Sequence, residues 1–234
     1  MDFTTGQPPW LSQEALDLTL EDLTVDETLT PLQRCERYVC SPIPLQRLVH
    51  VKLLAETATG SGVDITNTVI VPLLGVLMAD DKVVIRQHLP EQISIMAQYF
   101  AGGDDEGYAL FLDGLLPCLS RLLGDNCEEV RISASEALVQ VSGLVRPHDI
   151  GRHVLTVVLR LAHDDENDAK RCAATCLLSE LSPCLGFDLS HQFLVPELVS
   201  LAEDPEMCVR KMVAWSMRRI FSTLGGPERL IEVS

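Results

Sequence analysis

The stretch Phe193–Trp215 reads FLVPELVSLAEDPEMCVRKMVAW, and its pattern decides the fold because it recurs along the chain. An apolar segment contains Pro196, Asp204 follows eight residues later, and Arg210 lies six residues beyond that aspartate. The same order and spacing occur in two earlier copies: Pro117, Asp125 and Arg131, and Pro72, Asp80 and Arg86.

Two further copies depart from this pattern. One has Thr156 in place of the proline, followed by Asp164 and Lys170, and a weaker first copy has Ser41 in the aspartate position and Arg47 in the basic one. The five basic residues are separated by 39, 45, 39 and 40 residues. A period near forty with two apolar segments per copy predicts an all-α protein, an α-α superhelix of about five helix pairs.

The residues of one copy predict how the unit is built. Apolar residues at helical spacing around Leu116 indicate a first helix, with Pro117 in its early part, where the missing N–H costs least. Asp125 falls in the turn, where its carboxylate can accept from free backbone N–H groups. Val130 and Ala134 indicate a second helix that packs on its neighbours.

Composition changes along the chain predict three regions. Residues 1–29 are acidic, contain no Lys or Arg, and are expected to form a disordered tail, removable by proteolysis. Residues 30–223 form the solenoid, with an acidic loop at Gly102–Gly107 accounting for the longest spacing and with Pro183 expected to close the fourth repeat. Residues 224–234 start an incomplete further repeat. Since a solenoid normally ends in a polar cap, we expect a fragment or a shortened form.

The charge of the chain restricts its partners. Its formal net charge is −16, from 34 acidic and 18 basic residues, whereas nucleic-acid binding needs a basic surface. The N-terminal residues lack a signal-peptide pattern, and no uncharged apolar run approaches the length of a membrane helix. We therefore expect no nucleic-acid or membrane partner, and a cytoplasmic protein with the nucleus as a second compartment.

A search for catalytic or metal-binding patterns finds no site. The eight cysteines form no C-x-x-C pair, and disulfides are not expected without secretory features. Cys172 and Cys176 lie one helical turn apart and in principle join Cys184 or a histidine around zinc, but buried packing thiols are the favoured interpretation. No phosphate loop or nucleophile elbow occurs. The prediction is a protein without catalytic, cofactor or metal residues.

Two sets of residues are candidates for a structural or binding role. The regular charged positions are expected to pair between neighbouring repeats as a ladder that fixes register. The ladder residues are Asp80, Arg86, Asp125, Arg131, Asp164, Lys170, Asp204 and Arg210. The turn residues that differ between copies are better candidates for partner binding. They are Asp81, Lys82, Asn126, Glu128, Asp165, Glu166, Pro205 and Glu206.

The unit L-x-P-x-L…D-x-x-x-x-V-R resembles the HEAT repeat, especially that of scaffold subunits of Ser/Thr protein phosphatases. The stretch Asp26–Arg34 (DETLTPLQR), after an acidic segment, is similar to the start of the regulatory subunit 1 family of protein phosphatase 4. This resemblance implies binding to a phosphatase catalytic subunit of the protein phosphatase 4 or 2A type through turns along one edge.

The expected function is that of a noncatalytic regulatory or scaffold subunit of a Ser/Thr protein phosphatase complex. The alternative is a HEAT or armadillo adaptor in transport or complex assembly that is unrelated to phosphatases. An enzyme built from helical repeats is disfavoured because His-Glu pairs that would hold a di-iron centre are absent from the sequence.

Overall fold

The structure is a computed structural model that describes the backbone of residues 24–223 and the side chains of residues 24–220. Every regular element in this range is helical, and the helices stack as five successive units. The predicted all-α superhelix is confirmed. Residues 1–23 of the predicted tail (1–29) and the whole of the predicted further repeat (224–234) lie outside the described residues.

Each unit has a first and a second helical segment joined by a turn. The first segments consist of α1 (Pro31–Tyr38), then α4 (Val63–Ile65) with α5 (Val71–Leu77), α7 (Asp105–Leu110) with α8 (Leu116–Leu122), α10 (Pro147–Ile150) with α11 (Thr156–Ala162), and α13 (Val195–Leu201). The second segments are α2 (Pro44–Val51) with α3 (Leu54–Ser61), α6 (Val83–Ala101), α9 (Glu128–Ser142), α12 (Asp168–Leu189) and α14 (Met207–Thr223).

The first helix of the first unit begins with a side-chain cap. Thr30 precedes Pro31, its hydroxyl accepts from the Gln33 N–H at 3.3 Å, and the Gln33 side chain accepts from the Thr30 N–H at 3.0 Å. This reciprocal capping box satisfies two backbone donors that a helix start leaves free.

The prolines lie further into the first segments than the sequence predicts. A π-helix turn of five residues directly precedes the pairs Val71-Pro72, Leu116-Pro117 and Val195-Pro196, as Thr66–Ile70, Phe111–Leu115 and Ser190–Leu194. A proline ring clashes with the carbonyl four residues earlier, and the wider π turn relieves that clash. The fourth unit keeps the turn, Gly151–Leu155, where the Thr156 hydroxyl donates to the Gly151 carbonyl at 2.9 Å.

The predicted acidic loop at Gly102–Gly107 is shorter than expected because α7 already begins at Asp105. Asp104 caps this helix by accepting from the Gly107 N–H at 2.8 Å. A Cβ on Gly107 would lie 2.6 Å from the Phe100 carbonyl oxygen, so the close approach of α7 to the end of α6 needs glycine here.

The boundary between the fourth and fifth units also differs from the prediction. Pro183 was expected to close the fourth repeat, but it lies inside α12, and the change of direction comes at Gly186, whose φ is +72°. The helical stretch 168–201 is long and apolar enough to cross a membrane by length and composition alone, which the search for uncharged runs did not predict. It bends at Gly186, and 44% of its most apolar window is buried in the fold, as in the core helix of a repeat protein.

One continuous core runs through the described units, from Cys35 to Ile220. The apolar residue beside the arginine is fully buried in the three regular copies, as Ile85, Val130 and Val209, and Ala134 is buried with them. The small side chain of Ala134 lets neighbouring helices approach closely. Adjacent units therefore share buried surface that neither unit could bury alone.

Replacement of Val130 by aspartate is expected to unfold the central units. Val130 is 0% exposed, and an unpaired carboxylate there costs roughly 3 kcal/mol or more. Glu128→Ala, two residues away at the exposed start of α9, should change stability by no more than about 0.5 kcal/mol. Thermal melts of both variants check this, and equal melting temperatures would show that the assigned repeat register is wrong.

Candidate functional site

The turn between the two helical segments is held by its aspartate. In the regular units one carboxylate oxygen accepts from the backbone N–H two residues later, at 2.9 Å from Asp80 to Lys82, 2.8 Å from Asp125 to Cys127 and 2.8 Å from Asp204 to Glu206. These bonds satisfy donors that the second helix leaves free at its start. The turn is therefore a fixed shape rather than a loose connection.

An arginine on each second segment binds the turn from within the same unit. One terminal nitrogen of its guanidinium donates to the backbone carbonyl of the residue in the aspartate position at 2.6 to 2.9 Å. The five pairs are Arg47 with Ser41, Arg86 with Asp80, Arg131 with Asp125, Arg171 with Asp164, and Arg210 with Asp204.

Three of these arginines also bind the aspartate of the next unit. The Nε and the other terminal nitrogen of the guanidinium both donate to one carboxylate, at 2.7 and 3.0 Å for Arg47–Asp80, 2.7 and 3.1 Å for Arg86–Asp125, and 2.7 and 3.1 Å for Arg171–Asp204. These two-point ion pairs fix the position of one turn against the next. Their side chains are mostly buried, with Arg171 10% and Asp204 6% exposed.

The fourth unit corrects the sequence assignment. Arg171, rather than Lys170, makes the contacts of the repeating arginine, and Lys170 donates to Asp164 of its own unit at 2.8 Å. The turn is one residue longer here. With Asn167 as its cap, α12 begins four residues after Asp164, whereas α6, α9 and α14 each begin three residues after their aspartates. The extra residue moves the arginine from the sixth to the seventh position after the aspartate.

The ladder is interrupted between the third and fourth units. Within the described residues, Arg131 donates only to the carbonyls of Asp125 and Asn126 in its own turn. A different contact joins these units at the other end of the first segments: the Tyr108 hydroxyl donates to Asp149 at 2.9 Å and accepts from the Arg146 N–H at 2.9 Å. The Arg146 guanidinium lies 4.0 Å from the centre of the Tyr108 ring.

Three of the turn aspartates, Asp125, Asp164 and Asp204, are held ionised. Burial alone would raise the pKa of Asp125, but hydrogen bonds from Arg86 and the Cys127 N–H outweigh it and lower that pKa below its ordinary value. The hydrogen bond from Arg171 lowers the pKa of Asp204 in the same way, and that from Lys170 lowers the pKa of Asp164. Each carboxylate therefore keeps its charge at neutral pH.

The predicted partner-binding residues lie in the same turns, in a row that we name the turn edge. Seven of the eight are exposed, and Lys82 is half-buried. The turn edge comprises Asp81, Lys82, Asn126, Glu128, Asp165, Glu166, Pro205 and Glu206. Asp81 also contributes to the ladder, because its carboxylate lies 2.9 Å from Arg47 and 3.3 Å from Lys82. The row is acidic and suits a basic partner surface.

A second exposed surface was missed by the sequence analysis. The second segments present Ile95, Tyr99, Ile132 and Trp215 to solvent, with Tyr99 58% and Trp215 57% exposed. A groove of about 540 Å³ runs between α6 and α9 beside Ile95, and it is lined mostly by polar residues, including Glu91 and Gln140. Apolar residues off the buried stripe of these helices are the signal that could have revealed this surface.

Comparison with known proteins agrees with the repeat structure. Residues 115–144, which contain the turn of the third unit, match the family model of the HEAT repeat. Across most of its length the chain is also similar in fold to the crystal structure of an engineered protein, with a TM-score of 0.50, 21% identity, and coverage of 87% of this chain and 85% of that one.

Among curated proteins, the chain is similar to serine/threonine-protein phosphatase 4 regulatory subunit 1 of Homo sapiens, with 26% identity over 199 residues. The same protein of Mus musculus gives the same identity over the same length. Each match covers 83% of this chain but 21% of the relative, so the chain spans about a fifth of the length of these relatives.

Loss of a cross-unit arginine should destabilise the protein more than loss of an arginine that binds only its own turn. Arg86→Met leaves the largely buried Asp125 carboxylate without its two-point partner, which costs about 1–3 kcal/mol. Arg131→Met is the matched control because it removes only carbonyl contacts. Chemical denaturation of the two variants measures the difference, and equal losses would mean that the cross-unit pair does not contribute.

The contribution of the Arg171–Asp204 pair should depend on pH. The pKa of Asp204 is lowered in the folded state, so the pair stabilises the protein above the unfolded-state pKa of about 3.9. That stabilisation is lost as the pH falls through the folded-state value. The difference in free energy of unfolding between the wild type and Arg171→Gln is therefore expected to be largest at neutral pH and to shrink in acid. A difference that is constant with pH would contradict the ion pair.

Proposed function

We propose that this protein is a noncatalytic regulatory or scaffold subunit that binds the catalytic subunit of a Ser/Thr protein phosphatase of the protein phosphatase 4 or 2A type. The observation that carries the proposal is the turn edge, a row of exposed and mostly acidic residues on turns held by aspartate caps and arginine contacts. Similarity to a phosphatase 4 regulatory subunit supports the choice of partner.

The mechanism is positioning rather than chemistry. Each turn presents its charged residues from a backbone that is already fixed, so binding orders little of the chain and loses little conformational entropy. Within the first three units and within the last two, the ladder holds neighbouring turns at a fixed spacing, so that several turns can engage one partner together. Acidic residues along the row attract a basic surface and set its orientation.

Eight free thiols suit a reducing compartment, and we place the function in the cytoplasm, with the nucleus as a second compartment. The rival function is an adaptor in transport or complex assembly. The turn edge would serve such an adaptor equally well as a surface, so the two functions differ only in the partner that binds.

Binding of purified protein phosphatase 4 catalytic subunit to the whole chain tests the proposal by biolayer interferometry. The charge-reversal variant Glu128→Lys/Asp165→Lys/Glu166→Lys is expected to bind at least about tenfold more weakly, since truncation of hot-spot contacts costs about 2 kcal/mol or more. The matched control Asp64→Lys/Asp113→Lys/Asp188→Lys changes the net charge equally on exposed positions of the first segments and of the end of α12 and should bind as the wild type does.

Absence of binding by the wild type would overturn the phosphatase proposal and favour the transport or assembly adaptor. Equal weakening in both charge-reversal variants would show that the partner responds to net charge, and the turn edge would then lose its assigned role. Circular dichroism of each variant excludes unfolding as the cause.

A further inference from the structure

A groove between the first segments of the third and fourth units is lined by three arginines. It has a volume of about 380 Å³ and runs between α8 and the stretch that consists of the fourth unit's π turn and α11. Arg121, Arg152 and Arg160 line it together with His153. We name this site the arginine groove. None of its lining residues belongs to the turn edge, so its role is separate from the one proposed above.

Helical spacing explains how these side chains come to share one groove. In the fourth unit His153, Val157 and Arg160 follow one another at intervals of four and three residues, which places them on one helix face. In the third unit Pro117 and Arg121 lie four residues apart and share a face of α8 in the same way. The two faces border the same groove, so arginines from neighbouring units lie around one space.

The three guanidiniums of the groove have no partner in the part of the chain whose side chains the structure describes. None of them forms an ion pair or a hydrogen bond there, and all three are exposed. Arg121 also borders a neighbouring groove lined by Asp80 and Asp125, but Arg47 and Arg86 already bind those carboxylates. The donors of the arginine groove are therefore available to an anion without any change in the fold.

The repeat itself does not require arginine at these positions. Arg121 and Arg160 each lie four residues after the proline position of their unit, where the second unit has Val76 and the fifth has Ser200. Those units form the same helices with an apolar and a small polar side chain. The positive charge is therefore a property of this one junction and not a requirement of the fold.

The charge of the surroundings limits the size of the anion that fits. The whole chain has a formal net charge of −16, whereas the described residues that line the arginine groove include no carboxylate. A nucleic acid needs an extended basic surface, and a long polyanion would be repelled by the acidic surface on either side of the groove. A single compact anionic group needs only the groove itself.

We propose that the arginine groove binds a phosphoserine or phosphothreonine side chain of a protein or peptide. Such a side chain carries a charge of about −1.5 to −2 at neutral pH and three strong acceptor oxygens. A planar guanidinium donates two parallel hydrogen bonds to phosphate oxygens. A cluster of arginines is accordingly a recurrent means of recognising phosphorylated peptides.

The apolar part of the groove favours a peptide over a free anion. Leu116 is buried, Val157 is half-buried and Pro117 is exposed, and all three line the groove with the guanidiniums. An apolar residue next to the phosphorylated one gains from burial against them, a contribution that inorganic phosphate lacks. The inference does not depend on the proposed function. If the chain also binds a phosphatase, this site would hold a phosphorylated substrate on the same scaffold.

Fluorescence anisotropy with the full chain and a labelled peptide tests the proposal. The probe is a fluorescein-labelled heptapeptide with a central phosphoserine between two leucines, and its reference has serine instead. The phosphopeptide is expected to bind at least about tenfold more tightly, because each charge-assisted hydrogen bond contributes about tenfold or more. Arg121→Gln/Arg160→Gln should lower the affinity for the phosphopeptide to that for the serine peptide.

Arg34→Gln/Arg218→Gln is the matched control. These two arginines also lack an ion pair among the described side chains, do not line the arginine groove, and change the net charge by the same amount. Their replacement should leave the affinity unchanged, and equal weakening in the two double variants would overturn the proposal. Circular dichroism checks that both variants fold. The assay contains no phosphatase subunit, so its outcome is separate from that of the test of the proposed function.

Three other results would also overturn the proposal. Equal binding of the phosphoserine and serine peptides would show that the phosphoryl group is not recognised. Displacement of the phosphopeptide by equimolar inorganic phosphate would show a site for a free anion. Tighter binding of a labelled RNA oligonucleotide or of phosphatidylserine vesicles, lost in Arg121→Gln/Arg160→Gln, would assign the groove to a polyanion.

Discussion

A single guanidinium that binds two turns at once is the contact on which the arrangement of this solenoid depends. Arg86 donates to the Asp80 carbonyl of its own turn and to the Asp125 carboxylate of the next, so one side chain fixes the distance between neighbouring turns. The buried core supplies most of the stability, but apolar packing is non-directional and leaves the register to such polar contacts. The acidic turn edge follows from that register, since its residues flank the same aspartates.

Because Arg131 makes no cross-unit ion pair, the ladder of arginine–aspartate pairs is divided into two parts. The first three units and the last two are each joined by arginine–aspartate pairs, whereas the junction between them is held by the shared core and by Tyr108, Arg146 and Asp149 at the far end of the first segments. Within the described units this junction is the one place where neighbouring turns lack an arginine–aspartate pair.

The sequence predicted the fold because the proline, aspartate and arginine spacing recurs with few changes. It could not place Arg171, since a one-residue insertion ahead of α12 is invisible when Lys170 occupies the expected position. It also could not place the helix break at Gly186, because a proline is the stronger signal and Pro183 was compatible with the helix. The exposed surface around Tyr99 and the contact of Cys176 with Met212 depend on which faces of neighbouring helices pack together, and spacing along one helix does not contain that information.

A double-mutant cycle on Arg86 and Asp125 tests most directly whether the cross-unit pair fixes the repeats. The free energy of unfolding is measured for the wild type, Arg86→Met, Asp125→Asn and the double variant by chemical denaturation. If the pair acts as described, the coupling energy should lie within the range of about 0.5–3 kcal/mol that is found for residues in direct contact. Additivity of the two single changes to within about 0.3 kcal/mol would contradict the account.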